Sequence, residues 1–285
     1  MYICGQSKLL SKIDHLIDNN RFPRFCIIVG ETGHGKKLIS DYISKKLGAN
    51  LCPCGVSVED VRNSIELSYN IIDKTVYMFF DCDSMSIGAK NALLKVTEEP
   101  PNNAYYIMTV RDISSVLGTI ISRGTVLNLD RYTVSDLQEY VKHMNFDIDK
   151  DSERILYQIC VCPNDINIAV NDNILNVYSL AGKVIQFIGQ ANIGNELKIT
   201  SMLSTKKDDE KIDPIMFMRC INICCNKYIL ENCTKSDIEV FDIIIKESSK
   251  CISALLAKGC NKQITLDNWI VSTHLKIRGA LREHS

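Results

Sequence analysis

Short unbroken apolar runs alternate with helical periodicity over the first half of the chain. Three runs, Phe25 to Val29, Val76 to Phe80 and Tyr105 to Val110, carry almost no polar position on either face. Runs of this kind suit strands covered on both sides, as in a parallel sheet between helices. Between them apolar residues recur three and four apart. Leu9, Leu10, Ile13, Leu16 and Ile17 predict a helix over 6–19. Leu38, Ile39, Tyr42, Ile43 and Leu47 predict another, ended by Gly48. Val58, Val61, Ile65 and Leu67 mark a third over 58–69, and the helix through Asn91 to Glu99 is stopped by Pro100 and Pro101. Residues 112–121 read as a helix that leads to an exposed arginine, Arg123.

From residue 130 the pattern is helical throughout. Thr133 to Asp136 can cap a helix holding Leu137, Tyr140 and Val141. A second helix spans 152–160, and a third begins at Pro163. Beyond Asn173, segments 174–187, 214–230, 237–257 and 266–281 each carry an apolar face. Polar, turn-like stretches such as 204–210 lie between them. The expected layout is an α/β domain over 1–129, a small helical domain over 130–172 and an all-α domain over 173–285.

Composition narrows the function little. The chain has 285 residues, 46% hydrophobic and 24% charged, enough for about two cores. A net charge of −1 makes a global nucleic-acid footprint absent, so any DNA contact has to be local or shared. No apolar run approaches the roughly 20 residues of a membrane span. The first residues lack the basic and apolar regions of a secretory leader. With 13 scattered cysteines, a reducing cytoplasm is expected, most thiols serving as small buried apolar groups.

The first apolar run opens into Gly30-Glu31-Thr32-Gly33-His34-Gly35-Lys36-Lys37. The spacing is that of a phosphate-binding loop, in which glycines let backbone N–H groups close around an anion and a lysine reaches the outer phosphates. The last position of such a loop is a Ser or Thr that ligates magnesium; here it is Lys37. Two cysteines one residue apart, Cys52 and Cys54, flank Pro53, with no histidine near. Structural zinc takes four ligands, so a shortened loop with two free thiols is expected rather than a zinc site.

The run Asn91-Ala92-Leu93-Leu94-Lys95-Val96-Thr97-Glu98-Glu99-Pro100-Pro101 resembles the helix and turn of clamp-loader subunits of the AAA+ class. Together with the loop at Gly30, the Asp81-Cys82-Asp83 strand end and Ser122-Arg123, the pattern is similar to the delta-prime group of the bacterial DNA polymerase III clamp loader. The resemblance covers residues 1 to about 170, and the rest by layout alone. It implies a RecA-like parallel sheet with flanking helices, a helical lid and a helical collar that joins a ring. It also implies where hydrolysis should fail. Aligned by the tail Asp83-Ser84-Met85, the magnesium Asp falls on Phe80 and the catalytic Glu on Asp81. Shifted by one residue, Asp81 becomes the metal ligand and Cys82 the base. Either register, with Lys37, breaks magnesium-dependent chemistry, and no second-sensor arginine lies in 161–170.

On that resemblance Gly30, Gly33, Gly35, Lys36, Lys37, Asp81 and Thr109 form a degenerate nucleotide site. ATP or phosphate binding there is left open and is not required, and Thr109 is either the first sensor or a strand-end threonine. Lys90 and Lys95 are candidates for sensing DNA. Arg123 is the working residue, an arginine given in trans to a neighbouring ATPase subunit. The implied role is a non-hydrolysing subunit in loading the sliding clamp onto primed DNA during replication. Its partners would be clamp-loader ATPase subunits, the clamp-opening subunit, the clamp and primed DNA, with no membrane. The alternatives are an active ATP-hydrolysing subunit of the gamma/tau kind, or an AAA+ scaffold with Arg123 idle.

Overall fold

The computed structural model describes residues 2–188, 194, 197–198, 212–230, 235–257 and 259–283; the polar stretch 204–210 lies outside them. Two compact units divide the chain, Met1–Tyr140 and Val141–Ser285.

In the first unit the described strands form one parallel sheet in the order β2-β3-β4-β1-β5. The three apolar runs are β1 (Phe25–Val29), β3 (Thr75–Phe79) and β4 (Ala104–Val110). Alternate residues go to opposite faces. Phe25, Ile27, Tyr77, Phe79, Tyr106 and Met108 pack on Val61 and Ile65 of α3 (Val58–Ser68) and on Ala89, Leu93 and Val96 of α4 (Ile87–Glu98). Cys26, Ile28, Val76, Tyr105 and Ile107 meet Leu9 and Ile13 of α1 (Ser7–Asp18) and Ile39 and Ile43 of α2 (Lys36–Leu47). Helices on both faces are the reason the runs show no polar alternation.

The caps follow from sequence. Asp60 N–H donates to Ser57 Oγ at 3.1 Å and Ser57 N–H to Asp60 Oδ2 at 3.3 Å, a reciprocal cap for α3. Ser86 Oγ accepts from Ala89 N–H at 3.1 Å at the start of α4. Gly48 ends α2 in the left-handed region, with φ 61°.

Two local expectations are corrected, and one strand was not expected. The segment around Cys52-Pro53-Cys54 is a strand and not a loop: β2 (Asn50–Cys54) pairs with β3 from Asn50 against Thr75 to Cys54 against Phe79. It is an edge strand, where a proline that lacks a donor is tolerated, and the central proline and the few residues of the segment hide it. Another strand without a pattern, β5 (Thr125–Asn128), pairs with β1 directly after Arg123. The helix expected over 112–121 is a 3₁₀ turn at Ile113–Ser115 followed by the single-turn α5 (Gly118–Ile121). Asp112 draws the backbone into the turn by accepting from Ser114 N–H at 2.9 Å.

Helix α6 (Val134–Met144) starts on the Thr133–Asp136 cap, with Asp136 N–H to Thr133 Oγ1 at 3.2 Å. The second unit continues with α7 (Lys150–Ile159), α8 (Pro163–Asn171), α9 (Ile174–Phe187), α10 (Pro214–Leu230), α11 (Lys235–Leu255) and α12 (Lys262–Glu283). Helix α10 packs on α9 and α11, and α11 on α12. It buries Met216, Phe217, Cys220, Ile221, Cys224 and Cys225. All described cysteines are free thiols, most of them buried. No described helix is long and apolar enough to cross a membrane.

One buried acid joins the last two helices. Glu247 of α11, its side chain 8% exposed, accepts from Lys250 at 2.7 Å, Lys276 at 2.6 Å and Ser272 at 2.6 Å. Burial alone would raise its carboxyl, but these three donors outweigh it and hold the group down to about 2 from 4.5. A depressed carboxyl stabilises the fold above its unfolded value, and that contribution is lost as pH falls through the folded one. We expect the melting temperature to drop between about pH 4.5 and 2, and Glu247→Gln to flatten part of that drop while lowering neutral stability by roughly 1–3 kcal/mol. An unchanged acid limb in the variant would remove Glu247 from the account.

Candidate functional site

The carboxyl ends of β1, β3 and β4 lie side by side, the edge of a parallel sheet where ligands gather. β1 runs out into the glycine loop. Gly33 and Gly35 hold φ 82° and 85°, the region open to glycine, and α2 follows with no side-chain cap on its first N–H groups. Gly30 N–H is tied to Val110 O at 3.1 Å and His34 N–H to Glu31 O at 3.3 Å. His34 is buried against the ring of Tyr132 (centroids 5.4 Å apart), whose hydroxyl donates to His34 O at 3.1 Å.

The two lysines differ. Lys36 Nζ folds back on its own loop and donates to Gly30 O at 2.6 Å and Glu31 O at 2.9 Å. Burial lowers its affinity for a proton, and the carboxylates of Asp81 and Asp83 act against that. Lys37 is exposed, with its ammonium 5.9 Å from the centre of the Phe80 ring.

The end of β3 sorts the acids. Asp81 is exposed and takes a positive φ of 50°; its N–H donates to Thr109 Oγ1 at 3.0 Å. Thr109 is fully buried, and this bond ties β4 to the end of β3. Cys82 is also fully buried, in the core beneath α4. Its thiol is pushed up to about 12, mainly by burial. A thiol buried and raised in this way does not serve as a base near neutrality, so the register that puts the catalytic Glu on Cys82 leaves that position without a working base.

Asp83 has a role that the sequence reading missed, because it served there only as an alignment mark. Its carboxylate accepts from Arg111 N–H at 3.0 Å on each oxygen, from Asp112 N–H at 3.2 Å and from Ser115 Oγ at 3.2 Å. Asp83 thus clamps the loop after β4 to the loop after β3.

Magnesium takes oxygen ligands. Lys37 presents an ammonium and Phe80 a hydrocarbon ring, so the residues at these two positions do not fit the ion. Among the described residues no three His, Cys, Asp or Glu side chains converge as a metal site would require. Cys54 Sγ contacts Cys52 O at 3.3 Å along β2.

Arg123 lies elsewhere. It precedes β5, which runs parallel to β1, so it stands at the amino edge of the sheet while the glycine loop leaves the carboxyl edge. The five residues of β1 separate the two edges by roughly 15 Å. Arg123 Nη2 pairs with Glu98 Oε1 at 2.8 Å, and Nη1 donates to Thr119 O at 3.0 Å. Its side chain stays 39% exposed. The glycine after it has a packing reason, because a Cβ at Gly124 would stand 3.0 Å from Phe25 and 3.2 Å from Ile120 O.

Of the two lysines considered for DNA, Lys90 is buried and donates to Ser115 O at 2.6 Å. Lys95 is exposed, 5.1 Å over the Tyr69 ring. In the second unit, α8 has no arginine of its own, and Arg219 of α10 reaches Asp165 at 2.5 Å and Ile159 O at 3.2 Å.

Replacing Asp83 by Ala removes a set of charge-assisted bonds, and we expect a loss of roughly 2 kcal/mol in equilibrium denaturation. A loss below about 0.5 kcal/mol would mean that the clamp is dispensable.

Comparison with known proteins follows the same lines. Residues 56–133 match the family model described as DNA polymerase III, delta subunit. The tau subunit of DNA polymerase III from Bacillus subtilis is 28% identical over 151 residues, covering 52% of this chain and 25% of that protein. The gamma subunit from Buchnera aphidicola (Schizaphis graminum) is 25% identical over 173 residues, covering 50% and 48%. The Escherichia coli tau subunit is 22% identical over 250 residues, covering 76% and 37%. The matched part therefore spans between a quarter and a half of these relatives. Among solved structures, a RuvB variant from Thermotoga maritima aligns over 96% of this chain and 88% of its own with a TM-score of 0.53 at 16% identity, a likeness of fold.

Proposed function

We propose that this AAA+ clamp-loader subunit is the non-hydrolysing, delta-prime-like member of its ring and gives Arg123 to the nucleotide of a neighbouring ATPase subunit. The observation that carries this reading is the separation of the arginine from its own glycine loop by the length of β1. A guanidinium at the opposite edge of the sheet can serve a phosphate only in another chain. Lys37 and Phe80 support the second half of the reading, that the chain does not hydrolyse ATP itself. The remaining partners are those of a clamp loader: the clamp-opening subunit, the sliding clamp and primed DNA, with residues 130–172 as the lid and 173–285 as the collar.

The likeness to subunits named tau and gamma favours a second reading, an ATP-hydrolysing subunit. ATP turnover separates the two. We expect the chain alone to be silent in magnesium and the partner ATPase to be stimulated by wild type. Arg123→Ala should reduce the stimulated rate by on the order of 10³, with complex formation by size exclusion unchanged. Turnover by the chain alone would establish the second reading. A partner rate indifferent to Arg123 would leave a scaffold.

A further inference from the structure

Cys52 and Cys54 stand two apart on β2, and the period of a strand puts both side chains on one face. There they pack against the cluster that holds Tyr77, Phe79 and, from α3, Val61 and Ile65. Cys54 Sγ contacts Cys52 O at 3.3 Å, and the two thiols are within hydrogen-bond reach of each other. Among the described cysteines, solvent reaches these two and Cys260, and the others are buried. Cys160 and Cys162 have the same spacing but are only 5% and 1% exposed. Cys52 and Cys54 are thus the one neighbouring thiol pair among the described residues with both members open to a soluble reagent.

The backbone allows this pair to close. Two strand rises put the Cα atoms about 6.6 Å apart, at the upper end of the roughly 4.4–6.8 Å that a disulfide spans. β2 is an edge strand paired with β3 alone, so a single ladder has to give as the two residues draw together. We propose that Cys52 and Cys54 are an oxidation site of this chain, closing into a disulfide under hydroperoxides. The Cys52 thiolate attacks one peroxide oxygen; the O–O bond breaks, leaving a sulfenic acid on Cys52 and releasing hydroxide. The Cys54 sulfur then attacks the Cys52 sulfur. The S–S bond forms, the S–O bond breaks, and the hydroxyl leaves with the Cys54 proton as water. The two thiols have given up two electrons and two protons, and hydrogen peroxide has become two waters. The first attack falls to Cys52 because burial pushes the Cys54 thiol up to about 11 and keeps its proton in place. Closure pinches the strand, so the disulfide is strained and open to reduction by soluble dithiols. This site is independent of Arg123 and of the reading placed on it.

Peptide mapping tests the proposal. Trypsin cuts after Lys46 and Arg62, and the peptide 47–62 holds Cys52, Cys54 and no other cysteine. The full chain is reduced, exposed to hydrogen peroxide, alkylated in denaturant and digested. The expected product is peptide 47–62 free of alkylation and about 2 Da lighter than its dithiol form. Dithiothreitol should restore it, while peptide 220–227, with the buried Cys220, Cys224 and Cys225, stays alkylated. In Cys54→Ser, oxidation of Cys52 should stop at the sulfenic acid, which dimedone traps as an adduct absent from wild type. In Cys52→Ser, Cys54 should react at least about tenfold more slowly than the pair does. Peptide 47–62 still alkylated at both cysteines when the buried thiols already oxidise would overturn the proposal. A disulfide from Cys52 or Cys54 to any other cysteine, or a wild-type Cys52 carried to sulfinic acid without closing the bridge, would overturn it equally. If either variant does not fold, the wild-type map decides by itself.

Discussion

The first unit depends on one strand. β1 is five residues of fully apolar chain between β4 and β5, covered by helices on both faces. Nothing about it can shift without exposing buried side chains worth about 1.5–3 kcal/mol each. Its carboxyl end fixes where the glycine loop emerges. Its parallel neighbour β5 fixes the amino edge, where Arg123 enters. The chemistry of each place is then a matter of which side chains the short connections deliver. Because both neighbours are locked in register with β1, the loop and the arginine keep their separation however the surface residues vary.

What could be read from sequence followed burial. The strands that became β1, β3 and β4 stand out because burial on two sides demands apolar residues throughout. The helices of the second unit stand out because each buries one face; 214–230 coincides with α10. β2 and β5 were illegible for the complementary reason. They lie at the two edges of the sheet, and Asn50, Pro53, Thr125 and Asn128 meet no strict apolar demand there. The break of segment 112–121 into two turns was hidden because a side chain, Asp112, competes with the helix for the backbone.

The candidate site divides in the same way. The glycine loop was legible as spacing, since a backbone that curls around an anion needs glycine at set places. The contact between Lys37 and Phe80 was not, because forty-odd residues part them in sequence and only the parallel pairing of the sheet brings them together. Asp83 shows how an alignment mark can conceal a structural duty. Its carboxylate is spent on the backbone of the loop after β4, so its presence needs no catalytic explanation. Lys90 is a similar case, a charge taken up in holding Ser115 rather than left for an outside partner.

The pair of Arg123 with Glu98 bears on how easily the arginine can change company. Both side chains are well exposed, 39% and 55%, and an ion pair in such a setting contributes at most about 1 kcal/mol. A buried pair would hold the guanidinium in its own chain, since separating its members costs about 3–5 kcal/mol. The pair seen here is labile. Glu98 orders the guanidinium within its own chain, and breaking the pair costs little. Order and easy release are thus combined in one side chain, which is what the role proposed for Arg123 would ask of it.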